Sequence, residues 1–331
     1  MSRPTKRSTN VRVETFRRWL GIFSISRILR WSVYLFLAVW LYRNWHNDIP
    51  TSTLLQQYCY PDSRLTTIDG MDVHYRVSGD GKETILLLHD SGNSLHTWAG
   101  WTDTLSKKYR VVSVDLPGFG LTGPHPQGSY SAFMYAGFLD KFVDTLKLNK
   151  FTLAGNGLGA QIAWFYAAEY SENLNKLILL NAPGFETKSP SLVMRFASTP
   201  VVNSALWKVT PRDAMELMLE NVYADNTRVN EKLVQRHLEL FLRPGNRKAF
   251  TDRAQVRDNR PPVDLIDNIT TPTLILWGAE DTYISPEFAY EFHRRIRGAF
   301  LKIYQNTGHW PQEENPVQSV QDVMAFLEGR F

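Results

Sequence analysis

The chain has 331 residues, 37 Lys and Arg against 33 Asp and Glu, one cysteine and 43% apolar residues. That length holds roughly two domains, or one α/β domain with an insertion, and the apolar share excludes a disordered or fibrous protein. The single Cys59 excludes an internal disulfide framework and a cysteine-built metal site.

The net charge of +4 is unevenly placed. Residues 1–30 carry eight cations against Glu14 alone, so the remaining chain is mildly acidic and no nucleic-acid partner is expected. The basic stretch includes Phe16–Arg30, which reads as an amphipathic helix for an anionic membrane surface. It is followed by Trp31–Tyr42, twelve residues without a charge. Arg27, Arg30 and Arg43 flank this run, and Trp31, Tyr34, Trp40, Tyr42 and Trp45 supply interface aromatics. The reading is a basic N-terminal segment over 1–30 and a membrane anchor over 31–49, contacting membrane lipid and open to a membrane-protein partner. The excess of cations before residue 31 predicts a cytoplasmic N-terminus with residues 50–331 on the outer side.

From about Tyr60 the pattern changes. Arg64–Asp69 and Met71–Val77 alternate in polarity around a glycine and predict an antiparallel strand pair. Thr84–Leu88, Val111–Asp115, Phe151–Ala154, Leu177–Leu180 and Thr273–Trp277 are short apolar runs suited to a parallel sheet buried on both faces. Helical spacing falls between them, over Ser131–Leu146 and Leu158–Tyr170, and again over Asn315–Gly329. Strands alternating with helices predict an α/β doubly wound, mostly parallel sheet. The core is expected over 60–183 and 264–331. Residues 184–263 show no strand signal but helical spacing at Asp213–Tyr223 and Asn230–Leu242, which predicts a helical cap over the ligand-binding edge of the sheet.

Five short motifs follow the predicted strands: His89-Asp-Ser-Gly-Asn-Ser94, Leu116-Pro-Gly-Phe-Gly120, Gly155-Asn-Gly-Leu-Gly159, Gly278-Ala-Glu-Asp281 and Asn306-Thr-Gly-His-Trp310. In this order the chain resembles the α/β-hydrolase family, in its capped branch related to epoxide hydrolases, haloalkane dehalogenases and carbon–carbon bond hydrolases. The resemblance implies that Asp281 is the triad acid and His309 the triad base. It further implies an oxyanion site from the backbone amides of Ser91 and Leu158, with His89, Asp90, Asn156, Phe119 and Trp310 around the pocket. Phe196, Trp207 and Phe241 of the cap are read as packing residues that can also line an apolar site.

Two positions depart from that family. The nucleophile of its G-x-S-x-G turn is Gly157 here, and a glycine starts no covalent attack. Asp90 stands where a glycine usually follows the histidine of the oxyanion loop, and its carboxylate opposes an incoming oxyanion. The other seven histidines lack metal-ligand spacing, and no metal or cofactor is expected. The leading expectation is a membrane-anchored hydrolase-fold protein without serine-hydrolase activity, binding a small apolar ligand or a partner. Two alternatives stand beside it: a hydrolase whose serine has been substituted at 157, and a non-covalent enzyme using the His309–Asp281 dyad as general base.

Overall fold

The apolar runs become the centre of one eight-stranded sheet in the computed structural model, which describes residues 25–186, 208–256 and 261–331. The strands are β1 (Ser63–Ile68), β2 (Met71–Ser78), β3 (Thr84–Leu88), β4 (Arg110–Val114), β5 (Phe151–Asn156), β6 (Leu174–Leu180), β7 (Thr273–Gly278) and β8 (Phe300–Tyr304). Their order is β1-β2-β4-β3-β5-β6-β7-β8. β1 and β2 run antiparallel, as does the β2–β4 pair, and every later pair is parallel.

Alternation along the strands sorts their side chains into two cores, because successive side chains point to opposite faces. Leu86, Leu88, Leu153, Leu177 and Ile275 pack under helices α4 (Ala132–Thr145), α5 (Leu158–Glu169) and α9 (Glu287–Arg295). Ile85, Leu87, Ala154, Ile178 and Leu276 pack under α3 (Ala99–Leu105) and α11 (Pro316–Leu327), where Trp98 and Trp101 fill the centre. Between β3 and α3 lies a 3-10 turn, Leu95–Trp98, and α10 (Pro311–Glu314) precedes α11.

Between β6 and β7, in the segment expected to form the cap, lie α6 (Arg212–Val222), α7 (Glu231–Phe241) and α8 (Asn246–Gln255). The first two coincide with the predicted helices. The third has too few apolar positions to show a period, and it is held by Arg247 to Asp48 and by Arg253 to Ser91. Leu219, Val222 and Tyr223 from α6 and its end meet Leu233 and Val234 of α7 around Trp310. This cluster is thereby joined to the loop that follows β8 in the core. Phe196 and Trp207 lie outside the described residues.

The chain divides into two compact units, residues 1–46 and 47–331. The first contains α1 (Ile25–Arg43), whose Trp31, Tyr34, Phe36 and Tyr42 side chains are exposed. The expected crossing anchor needs correction. No helix among the described residues is long and apolar enough to cross a membrane. Arg27 and Arg30 interrupt α1 and leave an uncharged run of about 18 Å at 1.5 Å per residue, against a hydrocarbon core of about 30 Å. Residues 1–24, which hold most of the predicted amphipathic segment, lie outside the described residues.

Residues 47–49 belong to the larger unit, where the Ile49 amide donates to Leu242 O at 2.9 Å. A short helix that the sequence reading leaves unassigned follows, α2 (Thr51–Tyr58). Its Leu54 is buried with Leu121 and Leu240, and the Tyr58 hydroxyl donates to Glu239 of α7 at 2.7 Å.

Candidate functional site

Three loops at the ends of parallel strands bring the expected residues together. The turn from β5 into α5 has Gly157 at φ +51°, a backbone conformation that glycine adopts without steric cost. A Cβ on Gly155 would meet the Gly159 carbonyl, and one on Gly159 would meet that of Leu88, so both neighbours are glycine because strand and helix touch there. The sharp strand-to-helix turn that the resemblance implies is present, with Gly157 at its apex.

Asp281, after β7, is fully engaged. Its Oδ1 accepts the amides of Tyr283 and Ile284 at 2.8 and 3.0 Å, and its Oδ2 lies 2.8 Å from His309 Nδ1. Asn181, at φ +46° after β6, donates Nδ2 to the same Oδ2 at 2.5 Å. His309 is fixed through its backbone, its amide donating to Val222 O of the cap at 2.8 Å. Its ring lies 5.4 Å from that of Tyr283, nearly parallel.

Asp90 decides the character of the site. Its Oδ1 accepts the Leu158 amide at 2.8 Å, the amide expected to hold an oxyanion. Its Oδ2 sits 3.1 Å from His309 Nε2 and accepts the Trp310 indole N–H at 3.2 Å. His309 therefore lies between two carboxylates, Asp281 on Nδ1 and Asp90 on Nε2. Burial would lower the His309 pKa, but the two carboxylates overcome it and push it up to about 10. Burial likewise opposes charge on Asp90, yet His309 and the amide and indole donors hold its pKa below the ordinary carboxylate value. Both directions favour a protonated His309 beside an ionised Asp90.

The remaining expected residues take other places. His89 is buried, with Nδ1 2.6 Å from its neighbour's carbonyl, Asp90 O, while its Nε2 accepts the Leu116 amide at 2.9 Å. It is a strut for the Asp90 loop rather than a pocket wall, and burial holds its pKa down. Asn156 also turns inward, donating Nδ2 to His309 O at 3.0 Å and to Leu180 O at 3.3 Å while accepting from Gln312 at 3.2 Å. Trp310 is 1% exposed and stacks on His237 at 5.6 Å, so it packs and donates rather than facing a ligand. The Ser91 hydroxyl accepts from Arg253 of the cap.

Phe119 does line a cavity, together with Gly92, Asn93, Leu240, Phe241 and His237. His237 was missed in the sequence, since a lone histidine on a helix carries no signal. Its Nδ1 donates to Leu233 O at 2.9 Å, and burial beside Arg236 takes its pKa down to about 4. The ring is therefore neutral, with a free lone pair on Nε2. Among the described residues, neither that atom nor Oδ1 of Asn246, also on the cavity wall, has a hydrogen-bond partner.

A second buried His–Asp pair lies away from this site. His74 Nδ1 is 2.8 Å from Asp115 Oδ2, and Asp115 also accepts the amides of Leu95 and Leu121 at 2.7 and 2.8 Å. Burial opposes the Asp115 charge, but the bonded His74, with His89 and His96 nearby, overcomes it and brings the pKa down to about 2. The pair joins β2 to the two loops that carry the cavity.

Residues 83–316 match the α/β hydrolase fold family. The chain belongs to that family. An uncharacterized protein of Mycobacterium tuberculosis is 28% identical over 281 residues, covering 81% of this chain and 82% of its own. A 2-hydroxy-6-oxononadienedioate/2-hydroxy-6-oxononatrienedioate hydrolase of Klebsiella pneumoniae is 27% identical over 289 residues, covering 80% of this chain and 95% of its own. Among solved structures, a putative lipase from Acinetobacter baumannii is 25% identical with a TM-score of 0.72, covering 86% of this chain and 98% of its own. Within this family fold, the elbow of the present chain carries glycine and a loop carboxylate stands beside it.

Proposed function

We propose that this α/β-hydrolase-fold protein runs no serine chemistry and binds a small, largely apolar ligand that offers a hydrogen-bond donor. The observation that carries the first part is the Asp90 carboxylate on the Leu158 amide. Acyl transfer by an elbow nucleophile needs a side-chain oxygen near His309 and an unoccupied donor for the developing oxyanion. Gly157 supplies no oxygen, and Asp90 occupies the donor. The second part draws on the cavity, which at about 20 Å³ takes a ligand only by widening. Phe119, Leu240 and Phe241 favour an apolar body, while the unpaired acceptors on His237 and Asn246 call for a donor, because a buried polar group without a partner costs about 1–3 kcal/mol.

The test is an active-site-directed fluorophosphonate followed by intact mass measurement of the full chain. The mass stays unchanged if the reading holds. A stoichiometric adduct on a residue of this site overturns it.

We also propose that α1 attaches the protein to one membrane face through its exposed aromatic and aliphatic side chains, with the flanking arginines at the headgroups. Attachment of this kind needs no crossing, whereas outward placement of residues 50–331 does. Full-length protein is expected to sediment with anionic vesicles, and Trp31→Glu with Phe36→Glu to reduce that binding at least tenfold. Equal binding by both proteins contradicts it.

A further inference from the structure

We propose that the groove between helix α7 and the α3 and α10 side of the core is a binding site for a phosphate monoester, held by Lys232 and Arg236 of α7 together with Arg228. The groove holds about 490 Å³, a volume typical of small-molecule sites. Neither Gly157 nor His309 lines it, so it is separate from the elbow. Its three cations face a single carboxylate on the wall, Glu313.

Arg236 is the residue that points to a ligand. It is half-buried, yet among the described residues its guanidinium makes no hydrogen bond and no ion pair, and its Nε is sealed from solvent. A charge taken from water without a partner is destabilising. The nearby carboxylates are committed elsewhere. Glu313 accepts from Asn93 and Thr97 on Oε1 at 3.0 and 2.5 Å, and from the Tyr223 hydroxyl on Oε2 at 2.7 Å. Glu239, one turn further along α7, accepts from Tyr58, Gln57 and Gln235 at 2.7, 2.7 and 2.9 Å. Lys232, one turn before Arg236, is exposed and also has no hydrogen bond or ion pair among the described residues. Arg228 has Asp225 at 3.6 Å and the Glu313 carbonyl at 3.4 Å, both on the surface. Like charges four residues apart on a helix repel, so Lys232 and Arg236 form an unfavourable pair that an anion would relieve.

Charge and shape select the anion. Three cations against one carboxylate leave an excess of two on the groove wall. A phosphate monoester carries about −1.5 to −2 at pH 7, whereas a carboxylate or a phosphodiester carries one charge and leaves a cation unmatched. The planar fork of Arg236 suits two phosphate oxygens, and Lys232 adds a point charge for a third. His96, also on the wall, contributes no charge, because burial takes its pKa down to about 4. Leu233, Pro316 and the Tyr223 ring offer the organic part an apolar side. A lipid headgroup and a soluble phosphate ester present this same chemistry.

Glycerol 3-phosphate, titrated by calorimetry into the full-length protein in neutral detergent, is the soluble probe. Binding is expected, and Lys232→Gln with Arg236→Gln is expected to weaken it at least tenfold, roughly the scale of one charge-assisted hydrogen bond. Because neither side chain bonds to the protein, the unliganded variant is expected to melt at the native temperature. If it fails to fold, Lys232→Gln alone, at an exposed position, carries the comparison with a loss of roughly threefold expected. Phosphatidylcholine vesicles carrying phosphatidic acid, against vesicles carrying phosphatidylglycerol, then separate the sources. For a lipid headgroup, the double variant loses its binding to phosphatidic acid and keeps that to phosphatidylglycerol. For a soluble ester, native and variant proteins bind each vesicle alike. The assignment is overturned if glycerol 3-phosphate does not bind, or if native and variant proteins bind it equally. A fluorophosphonate adduct at the elbow would leave it standing, since the groove contains no residue of that turn.

Discussion

The Asp90 carboxylate occupies the volume that a side chain on Gly157 would claim, with Oδ1 on the Leu158 amide and Oδ2 toward His309. Each residue accounts for the other. A carboxylate here requires a glycine at the elbow, and a glycine at the elbow leaves a hole that the carboxylate fills.

Gly157→Ser alone is therefore expected to fail as a route back to serine chemistry. The new side chain collides with Asp90 at a position of positive φ, and overpacking of this kind costs about 1–3 kcal/mol. Pairing it with Asp90→Gly removes the collision and frees the Leu158 amide. We expect the double variant to exceed the single one by roughly 10²-fold on short p-nitrophenyl esters, the scale set by one oxyanion donor. Rates per folded molecule, with unfolding followed by circular dichroism, make the comparison.

Removing the Asp90 charge should loosen the site while leaving most contacts. Asp90→Asn keeps the shape and the acceptor for Leu158, whereas Asp90→Ala leaves a cavity and a buried imidazolium with one carboxylate. Breaking a buried pair from one side costs about 3–5 kcal/mol, so the alanine variant is expected to lose that order of stability and the asparagine variant less. Urea unfolding of the three proteins checks the ranking.

The pH dependence has a definite sign at each end. His309 has its pKa raised from 6.5 to about 10, so its contribution is complete below 6.5 and is lost as pH rises through about 10. Asp90 has its pKa lowered from 3.8, so its contribution is complete above 3.8 and is lost as pH falls through the lowered value. The stability difference between the native protein and Asp90→Asn should be largest between these limits and narrow on both sides. Unfolding curves across that range test it, and a difference that does not vary with pH contradicts it.

The His74–Asp115 pair gives a separate expectation. Asp115 serves His74 and the amides of Leu95 and Leu121 at once. Asp115→Ala strands these partners and is expected to cost about 3–5 kcal/mol, read as a lowered melting temperature. Because the Asp115 pKa is depressed to about 2, its contribution is present above 3.8 and lost as pH falls through about 2.

Much of this architecture was legible in the sequence because it rests on local rules. Runs such as Thr84–Leu88 and Thr273–Trp277 are apolar throughout since both faces of the sheet are covered, and they are strands β3 and β7. Glycines such as Gly155 and Gly159 mark close approach of backbone, which is why the motifs could be placed on turns. Asp281 and His309 were paired through the family resemblance of their motifs, and they lie 2.8 Å apart. What the sequence did not show depends on distance along the chain. Asp90 and Gly157 are 67 positions apart, and nothing local says that one fills the space of the other. Asn156 and His89 looked like pocket residues from their motifs, yet their hydrogen bonds turn inward to fix backbone. The short helices α2 and α3 span too few turns to show a period, and their Leu54 and Trp101 are held by tertiary packing.

The most direct measurement is the protonation state of His309, read by nitrogen NMR of the labelled protein through a pH titration. The account predicts protons on both ring nitrogens at about pH 8, since Asp281 and Asp90 each face one of them and hold the pKa up to about 10. It also predicts that Asp90→Asn shifts the titration to lower pH. A neutral His309 at about pH 8 in the native protein, or a titration unmoved by Asp90→Asn, would contradict the placement of Asp90 as the second carboxylate of this site.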